Sequence, residues 1–339
     1  MTAIGRNFFI FSFSIFLILF IQAILQERYT YKYSKIPTRF KCEPQKNHYH
    51  HHEEKYITLT FKTIRGGAGL GNQLFEIFAL LGMARTLGRV PFFNEQDPSV
   101  VNNLGLLLET VPKAVDEFKI LAITNRSLAT VYRNSPACCM FEMHPLLKCE
   151  TYQYVIIDGF NFQSFKYFEN LKIRDFFTPS PEQKLKIDRK IKESSNTTCI
   201  HYQRGDFLLD NLHEGTNGTY LKKSIEFLRE NYSTGSIYIF GNDPKWVQDL
   251  MENNDYKSEK IHIMNTPMKN ALEDLHFSHQ FCESVIITAP SSTFGWFMGY
   301  LSKNQRNVYY RDIYDTMDLV KHQMISADFY PPIWKILKF

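Results

Sequence analysis

Thr198-Cys-Ile-His-Tyr-Gln-Arg-Gly-Asp206 is the stretch on which the reading of the fold turns. A short apolar run, Thr198 to Ile200, leads into a polar turn that contains a glycine. Such a run reads as a buried strand. The strand would deliver His201, Arg204 and Asp206 to its carboxyl end, where open α/β sheets bind their ligands. An arginine beside a glycine turn suits an anionic oxygen, because guanidinium donates paired hydrogen bonds to phosphate. The competing reading is a structural ion pair in which Asp206 only braces Arg204.

Two similar layouts follow. Ile237-Tyr-Ile-Phe240 reads as a strand, and Gly-Asn-Asp-Pro244 opens a helix, with Asp243 as cap and Pro244 at its first position. Ser284-Val-Ile-Ile-Thr288 reads as a strand, and Ala-Pro-Ser-Ser-Thr293 leads into the apolar helix Phe294 to Leu301. Ser291, Ser292 and Thr293 offer hydroxyls and free backbone N–H groups to a phosphate. Taken alone, plain helix capping explains them better. Three strands that end in short polar loops converge on one edge of a parallel sheet. Together they favour a nucleotide-diphosphate site.

The N-terminal half opens in the same style. Tyr56-Ile-Thr-Leu-Thr-Phe61 alternates as a strand, and the glycine loop Arg65-Gly-Gly-Ala-Gly-Leu-Gly-Asn-Gln73 follows. Leu74, Ile77, Phe78, Leu81 and Ala84 recur at helical spacing, with Gly88 as the stop. Val90-Pro-Phe-Phe93 reads as a second strand, residues 96 to 150 mostly as helix and loop, and Val155-Ile-Ile157 as a strand ending at Asp158-Gly159. The spacing Gly66 to Gly71 is that of a phosphate-binding loop, but Asn72-Gln73 stands where Lys-Ser/Thr is required. Gly67-x-Gly69-x-x-Asn72, with Glu95 near the end of the second strand, approaches a dinucleotide fingerprint that lacks its third glycine. A tight turn for helix–sheet packing is the alternative. The reading is of two α/β halves joined near residues 175 to 195, the second starting with a charged helix at 182 to 193.

Composition excludes several classes. The net charge of +4 is small and spread out, so a nucleic-acid binder is not expected. Phe8 to Leu25 is an 18-residue run without charge, just long enough to cross a bilayer. It reads as a signal-anchor rather than a cleaved signal peptide, since no small-x-small cleavage site follows. Asn-x-Ser/Thr sequons begin at Asn125, Asn196, Asn217 and Asn231, which favours the secretory pathway. Cys149 is a candidate to pair with Cys138 or Cys139, and for Cys199 and Cys282 a buried thiol is at least as good a reading as a disulfide. Residues 26 to 55 read as a polar stem, in which His48, His50, His51 and His52 are a solvated run rather than a metal site.

The motifs together resemble the α-1,2-fucosyltransferases of glycosyltransferase family 11. That family's His-x-Arg-Arg-Gly-Asp motif is matched by His201 to Asp206, except that Gln203 stands for the first arginine. Its Gly-x-Leu-Gly-Asn-Gln loop is matched from the second position on by Gly69 to Gln73, and its Phe-Gln-Ser-x-Lys-Tyr-Phe segment by Phe162 to Phe168. Phe240 to Trp246 is similar to its Phe-Ser-Asp-Asp-x-x-Trp segment, and Ser292 to Trp296 to its Ser-Thr-Phe-x-Trp segment. The order is preserved over about residues 57 to 320.

The resemblance implies a GT-B-like fold of two Rossmann-like domains that moves L-fucose from GDP-fucose to a galactose hydroxyl of a glycan, with inversion. It implies a cytoplasmic tail (1–7), an anchor (8–25), the stem (26–55), an acceptor-side domain (56–180) and a donor domain (181–339), in the Golgi membrane as a single-pass type II protein. Arg204 and Asp206 would serve catalysis. His201, Gln203, Arg204, Asp206, Asp243, Ser292, Thr293, Gly71, Asn72 and Gln73 would line the donor site. No Asp-x-Asp motif stands at a strand end, so no metal is expected and the cation role falls to arginine. Negative charge grows on the departing diphosphate, and a fixed donor aimed there is worth about 3 kcal/mol in analogous sites. Glu76, Glu95 and Asp158 remain equal candidates for a general base. Gln203 carries no charge, a loss of about 1 kcal/mol in a hydrogen bond to an anion. Three outcomes stay open: Arg204 suffices, Arg65 substitutes, or the protein is a weak or inactive relative that binds nucleotide or glycan.

Overall fold

The computed structural model describes residues 54–135, 137–188, 197–232, 235–252, 260–265 and 271–339. The expected tail, anchor and most of the stem, with the histidine run and Asn196, lie outside these residues. Among the described residues no helix is long and apolar enough to cross a membrane.

Two parallel sheets organise the chain. The first contains β1 (Tyr56–Leu59), β2 (Val90–Asn94), β3 (Lys119–Leu121), β4 (Ala129–Arg133) and β5 (Tyr154–Asp158), in the order β3-β2-β1-β5-β4. The second contains β6 (Thr198–His201), β7 (Ile237–Gly241), β8 (Ile261–Asn265), β9 (Ser284–Ile287), β10 (Val308–Arg311) and β11 (Lys335–Leu337), in the order β11-β10-β9-β6-β7-β8. Every neighbouring pair runs parallel. The α/β class with two parallel sheets expected from the sequence is therefore observed. The main helices are α1 (Leu70–Leu87), α2 (Gly218–Asn231), α3 (Pro244–Glu252), α4 (Ala271–Phe281) and α5 (Thr293–Leu301).

The run Ile237-Tyr-Ile-Phe240 shows why no alternation marks the central strands. Ile237 and Ile239 join Leu221, Leu228 and Val247 of α2 and α3 in one core cluster. Tyr238 and Phe240 face the other way, with ring centroids 4.8 and 5.2 Å from Phe277 of α4. Helices cover both faces, so every position is apolar. Tyr56 to Leu59 is likewise an interior strand, between β2 and β5. The edge strands β3 and β4 were not expected within residues 96 to 150. Their side chains are mostly exposed or half-buried, so they carry no apolar run.

α1 ends as the sequence indicates. Gly88 takes φ 63°, ψ 39°, a left-handed cap that glycine adopts without steric cost. Its start is a joint between the sheets. A Cβ on Gly71 would lie 2.6 Å from the backbone of Thr293 and Phe294, at the head of α5. Below that contact Phe75 packs its ring 4.8 Å from Trp296 and 4.9 Å from Phe297. Both helices follow strands of parallel sheets, α1 after β1 and α5 after β9. The joint therefore brings the carboxyl edges of the two sheets together.

The cysteines pair differently from the expectation. Cys199 on β6 is bonded to Cys282, just before β9, and the neighbours Cys138 and Cys139 are bonded to each other. Cys149 is also disulfide-bonded, to neither of that pair. Adjacency of β6 and β9, which brings Cys199 and Cys282 within reach, is a tertiary fact that spacing alone does not carry.

Candidate active site

Strand order creates a crevice in the second sheet. From β6 the chain moves outward to β7 and β8, then returns to β9 on the other side of β6. His201 at the end of β6 pairs with Ile287 at the end of β9. Their loops leave in opposite directions, and ligands of open α/β sheets bind at such a switch point.

The turn after β6 is fixed from several sides. The Asn242 side-chain oxygen accepts hydrogen bonds from the backbone N–H groups of Arg204 (3.0 Å) and Gly205 (3.1 Å). Its amide nitrogen donates to Asp206 Oδ1 at 3.2 Å, and Gln203 Nε2 donates to the same oxygen at 2.6 Å. The Gln203 N–H donates to Thr216 Oγ1 at 3.2 Å, and the Gln203 carbonyl accepts from the Thr216 N–H at 2.8 Å. The buried hydroxyls of Thr216 and Thr288 meet at 2.8 Å, and Thr288 donates to the His201 carbonyl. Asn242 was missed by sequence reasoning. The signal lies in Gly-Asn-Asp-Pro244, whose place among the three converging loops the sequence shows but whose asparagine it does not single out.

Arg204 is braced, but not by Asp206. Its guanidinium lies over the Trp246 ring, 4.1 Å from the centroid. Nη1 donates to the Thr216 carbonyl at 2.8 Å, and Nε lies 3.5 Å from Asp243 Oδ2. Asp243 Oδ1 accepts from the Trp246 N–H at 3.2 Å, which makes Asp243 the helix cap expected for α3. Asp206 instead serves Gln203 and Asn242, and is exposed.

His201 does not reach the open edge with its ring. It is 1 % exposed, packed against Phe294, and an added Cβ on Gly295 would meet its Nδ1 at 2.5 Å. Nδ1 has no hydrogen-bond partner among the described residues. Burial pushes the imidazole pKa down to about 3, so the ring is neutral at physiological pH.

The remaining expected residues divide. Ser292 Oγ accepts from the Gly295 N–H at 3.1 Å and is the cap of α5, as the plainer reading held. Ser291 Oγ is 2.5 Å from the buried Asp318 carboxylate. Thr293 meets Gly71 at the joint. Asn72 Oδ1 accepts from Gln163 Nε2 at 2.7 Å, and Gln73 Nε2 donates to the Ala68 carbonyl at 2.6 Å. The glycine loop is thus a packing joint, and Glu95 lies exposed beyond β2.

The base candidates separate clearly. Glu76 is fully buried, and its two oxygens accept the N–H groups of Thr63 and Ile64 at 3.1 Å each. Burial raises its pKa. Its place is structural, at the head of the short helix Lys62–Arg65. Asp158 is partly open and sits 2.8 Å from Lys62 Nζ, whose hydrogen bond holds the carboxyl below its ordinary pKa. Arg65, the possible substitute cation, is paired with Asp97. Among the described residues no group of three or more His, Cys, Asp or Glu is placed to hold a metal ion.

Comparison with known proteins gives this geometry its family. A profile described as Glycosyl transferase family 11 matches residues 146–327. A Caenorhabditis elegans protein named galactoside 2-alpha-L-fucosyltransferase is 39% identical over 338 residues, covering 98% of this chain and 93% of its own. A second C. elegans protein of that name is 32% identical, covering 84% of this chain and 78% of its own. Among solved structures, POFUT1 in complex with GDP-fucose is similar at a TM-score of 0.46 and 9% identity, over 76% of this chain and 98% of that one. That likeness is too weak to carry an argument. The profile and the two relatives suffice: the chain belongs to glycosyltransferase family 11.

Proposed function

We propose that this protein is an inverting galactoside α-1,2-fucosyltransferase that uses GDP-fucose. The observation that carries the reading is the 39% identity, over nearly the whole chain, to a relative of that name. The fixed turn from Gln203 to Asp206, at the switch point of the second sheet, is consistent with a bound nucleoside diphosphate. In this reading residues 181–339 hold the donor and residues 56–180 the acceptor.

The chemistry asks for few groups. An acceptor hydroxyl oxygen attacks C1 of fucose while the bond from C1 to the diphosphate oxygen breaks; the electron pair leaves with the diphosphate, and the hydroxyl proton passes to solvent. The transition state is oxocarbenium-like, so stabilising the leaving oxygens matters most. Arg204 supplies the positive charge next to the turn, and Gln203 supplies a neutral N–H donor. The inactive reading that Gln203 raised has no support in the names of the matched relatives.

The test uses full-length protein in detergent with GDP-fucose. GDP release that requires a terminal β-galactoside is the expected result. Release that is indifferent to any galactoside would sink the reading. Placement as a type II Golgi membrane protein belongs to the same proposal. It rests on the Phe8 to Leu25 run and on Asn125, Asn217 and Asn231, all exposed. Peptide-N-glycosidase treatment of protein from animal cells checks it, and an unchanged gel mobility would count against lumenal exposure.

A further inference from the structure

The first sheet has its own switch point, between β1 and β5. From β1 the chain runs to β2 and β3, and it returns through β4 to β5 on the other side of β1. Lys62 follows β1, and Asp158 ends β5. Lys62 Nζ lies 2.8 Å from Asp158 Oδ1, and the Thr60 hydroxyl lies 3.2 Å from the same oxygen. Lys62 Nζ is also 5.7 Å from the centroid of the Phe160 ring.

Phe160 stands apart within its segment. Phe162, Phe165, Tyr167 and Phe168 are all buried, whereas Phe160 is 46% exposed. The cause is the backbone. Asn161 and Phe162 both hold positive φ, 62° and 49°, which is costly for a bulky side chain. That kink drives Phe162 inward against Gly159, where an added Cβ would come within 2.6 Å of its ring. Phe160 is left pointing outward beside an ion pair. The Gly71–Thr293 joint places this edge of the first sheet toward the carboxyl edge of the second.

An open aromatic face next to fixed charged donors and acceptors has a specific ligand chemistry. A pyranose ring presents an apolar C–H face and a rim of hydroxyls. The C–H face stacks on an aromatic ring, and vicinal hydroxyls bridge an ammonium and a carboxylate. We propose that Phe160, Lys62 and Asp158 form the subsite for the acceptor sugar, with Phe160 as the stacking platform. The proposal rests on the transferase reading for the identity of that sugar. Lys62 holds the Asp158 carboxyl below its ordinary pKa, which makes the carboxylate a weaker base, so it accepts a hydrogen bond from the sugar rather than its proton. Asp158 therefore acts through affinity.

Steady-state kinetics with methyl β-galactoside at saturating GDP-fucose tests this. Phe160→Ala is expected to raise the acceptor KM about tenfold, a loss typical of one aromatic contact, with GDP affinity retained. Phe160→Tyr should retain most of the affinity, and Asp158→Asn should raise the acceptor KM with a much smaller effect on kcat. Because Phe160 is exposed, the unfolding midpoint of Phe160→Ala should match the parent. An unchanged acceptor KM in Phe160→Ala overturns the proposal. So does a collapse of kcat at constant KM in Asp158→Asn, the signature of a general base. If the parent transfers fucose to no galactoside, the transferase reading fails by itself. The subsite is then judged by saturation-transfer NMR with the same sugar: loss of signal in Phe160→Ala supports it, and an unchanged signal overturns it.

Discussion

Asn242 Oδ1 accepts hydrogen bonds from the backbone N–H groups of both Arg204 and Gly205, so the end of β7 fixes the turn that follows β6. The two strands are neighbours in the sheet, in register His201 to Phe240. Removing the amide leaves two N–H groups without their acceptor. Asn242→Ala is expected to lower stability by about 1–2 kcal/mol. It should weaken GDP binding more than that, because the turn then samples other shapes. Asn242→Asp is the sharper variant. It keeps the acceptor but sets a second carboxylate beside Asp206, now 3.2 Å from the Asn242 amide nitrogen. Calorimetric GDP titration should show weaker binding for Asp than for Ala, and the reverse order would contradict this account of the turn.

Gln203 and Asp206 form the pair most open to redesign. The Gln203 amide donates to Asp206 Oδ1 at 2.6 Å, and Asp206 is exposed. An arginine at 203 would keep the bond to Asp206 and add a positive charge to this edge. Gln203→Arg is expected to fold and to tighten GDP binding about tenfold at low salt, less at high salt. Equal GDP affinity for the two proteins at low salt would remove position 203 from the donor site.

Much of this arrangement was legible in the sequence, and the reasons are physical. Thr198 to Ile200, Ile237 to Phe240 and Ser284 to Ile287 read as buried strands because helices on both faces demand unbroken apolar runs. Asp243 before Pro244 and Gly88 after Leu87 read correctly because capping is a local property. Side-chain direction was not legible. Nothing local says that the His201 ring turns into the core, that Arg204 lies on Trp246, or that Glu76 caps a neighbouring turn. Each depends on which strands and helices become neighbours. The same holds for β3 and β4, which lack apolar runs because they are edges, and for the Cys199–Cys282 bond.

Gly71 tests the joint between the two sheets. A methyl group there would sit 2.6 Å from the Thr293 and Phe294 backbone, which has little room to move because α5 is packed against Phe75 through Trp296 and Phe297. Gly71→Ala is expected to cost about 1–3 kcal/mol, the usual range for overpacking. Chemical denaturation measures it. A variant as stable as the parent would show that the edges of the sheets are not in close contact.

Two buried histidines make stability fall on the acid side. His201 is held neutral, its pKa pushed down to about 3 by burial, and His276 is pushed down to about 4, also chiefly by burial. Below about pH 6.5 the unfolded chain binds protons that the folded chain refuses. Stability is therefore full above that pH and falls as the pH drops toward the folded values. Each histidine contributes a slope of about 1.4 kcal/mol per pH unit in that window. His201→Gln should remove one such slope in urea unfolding compared at pH 7.5 and 5. Equal pH dependence in the two proteins would mean that the ring is reached by water.

The central claim concerns the bond that is made. Full-length protein, GDP-fucose and a glycan ending in β-galactose should give one product, and NMR should place an α-fucose on the galactose 2-hydroxyl. Fucose attached at another hydroxyl, or no fucosylated product from folded protein that binds GDP, would contradict the account.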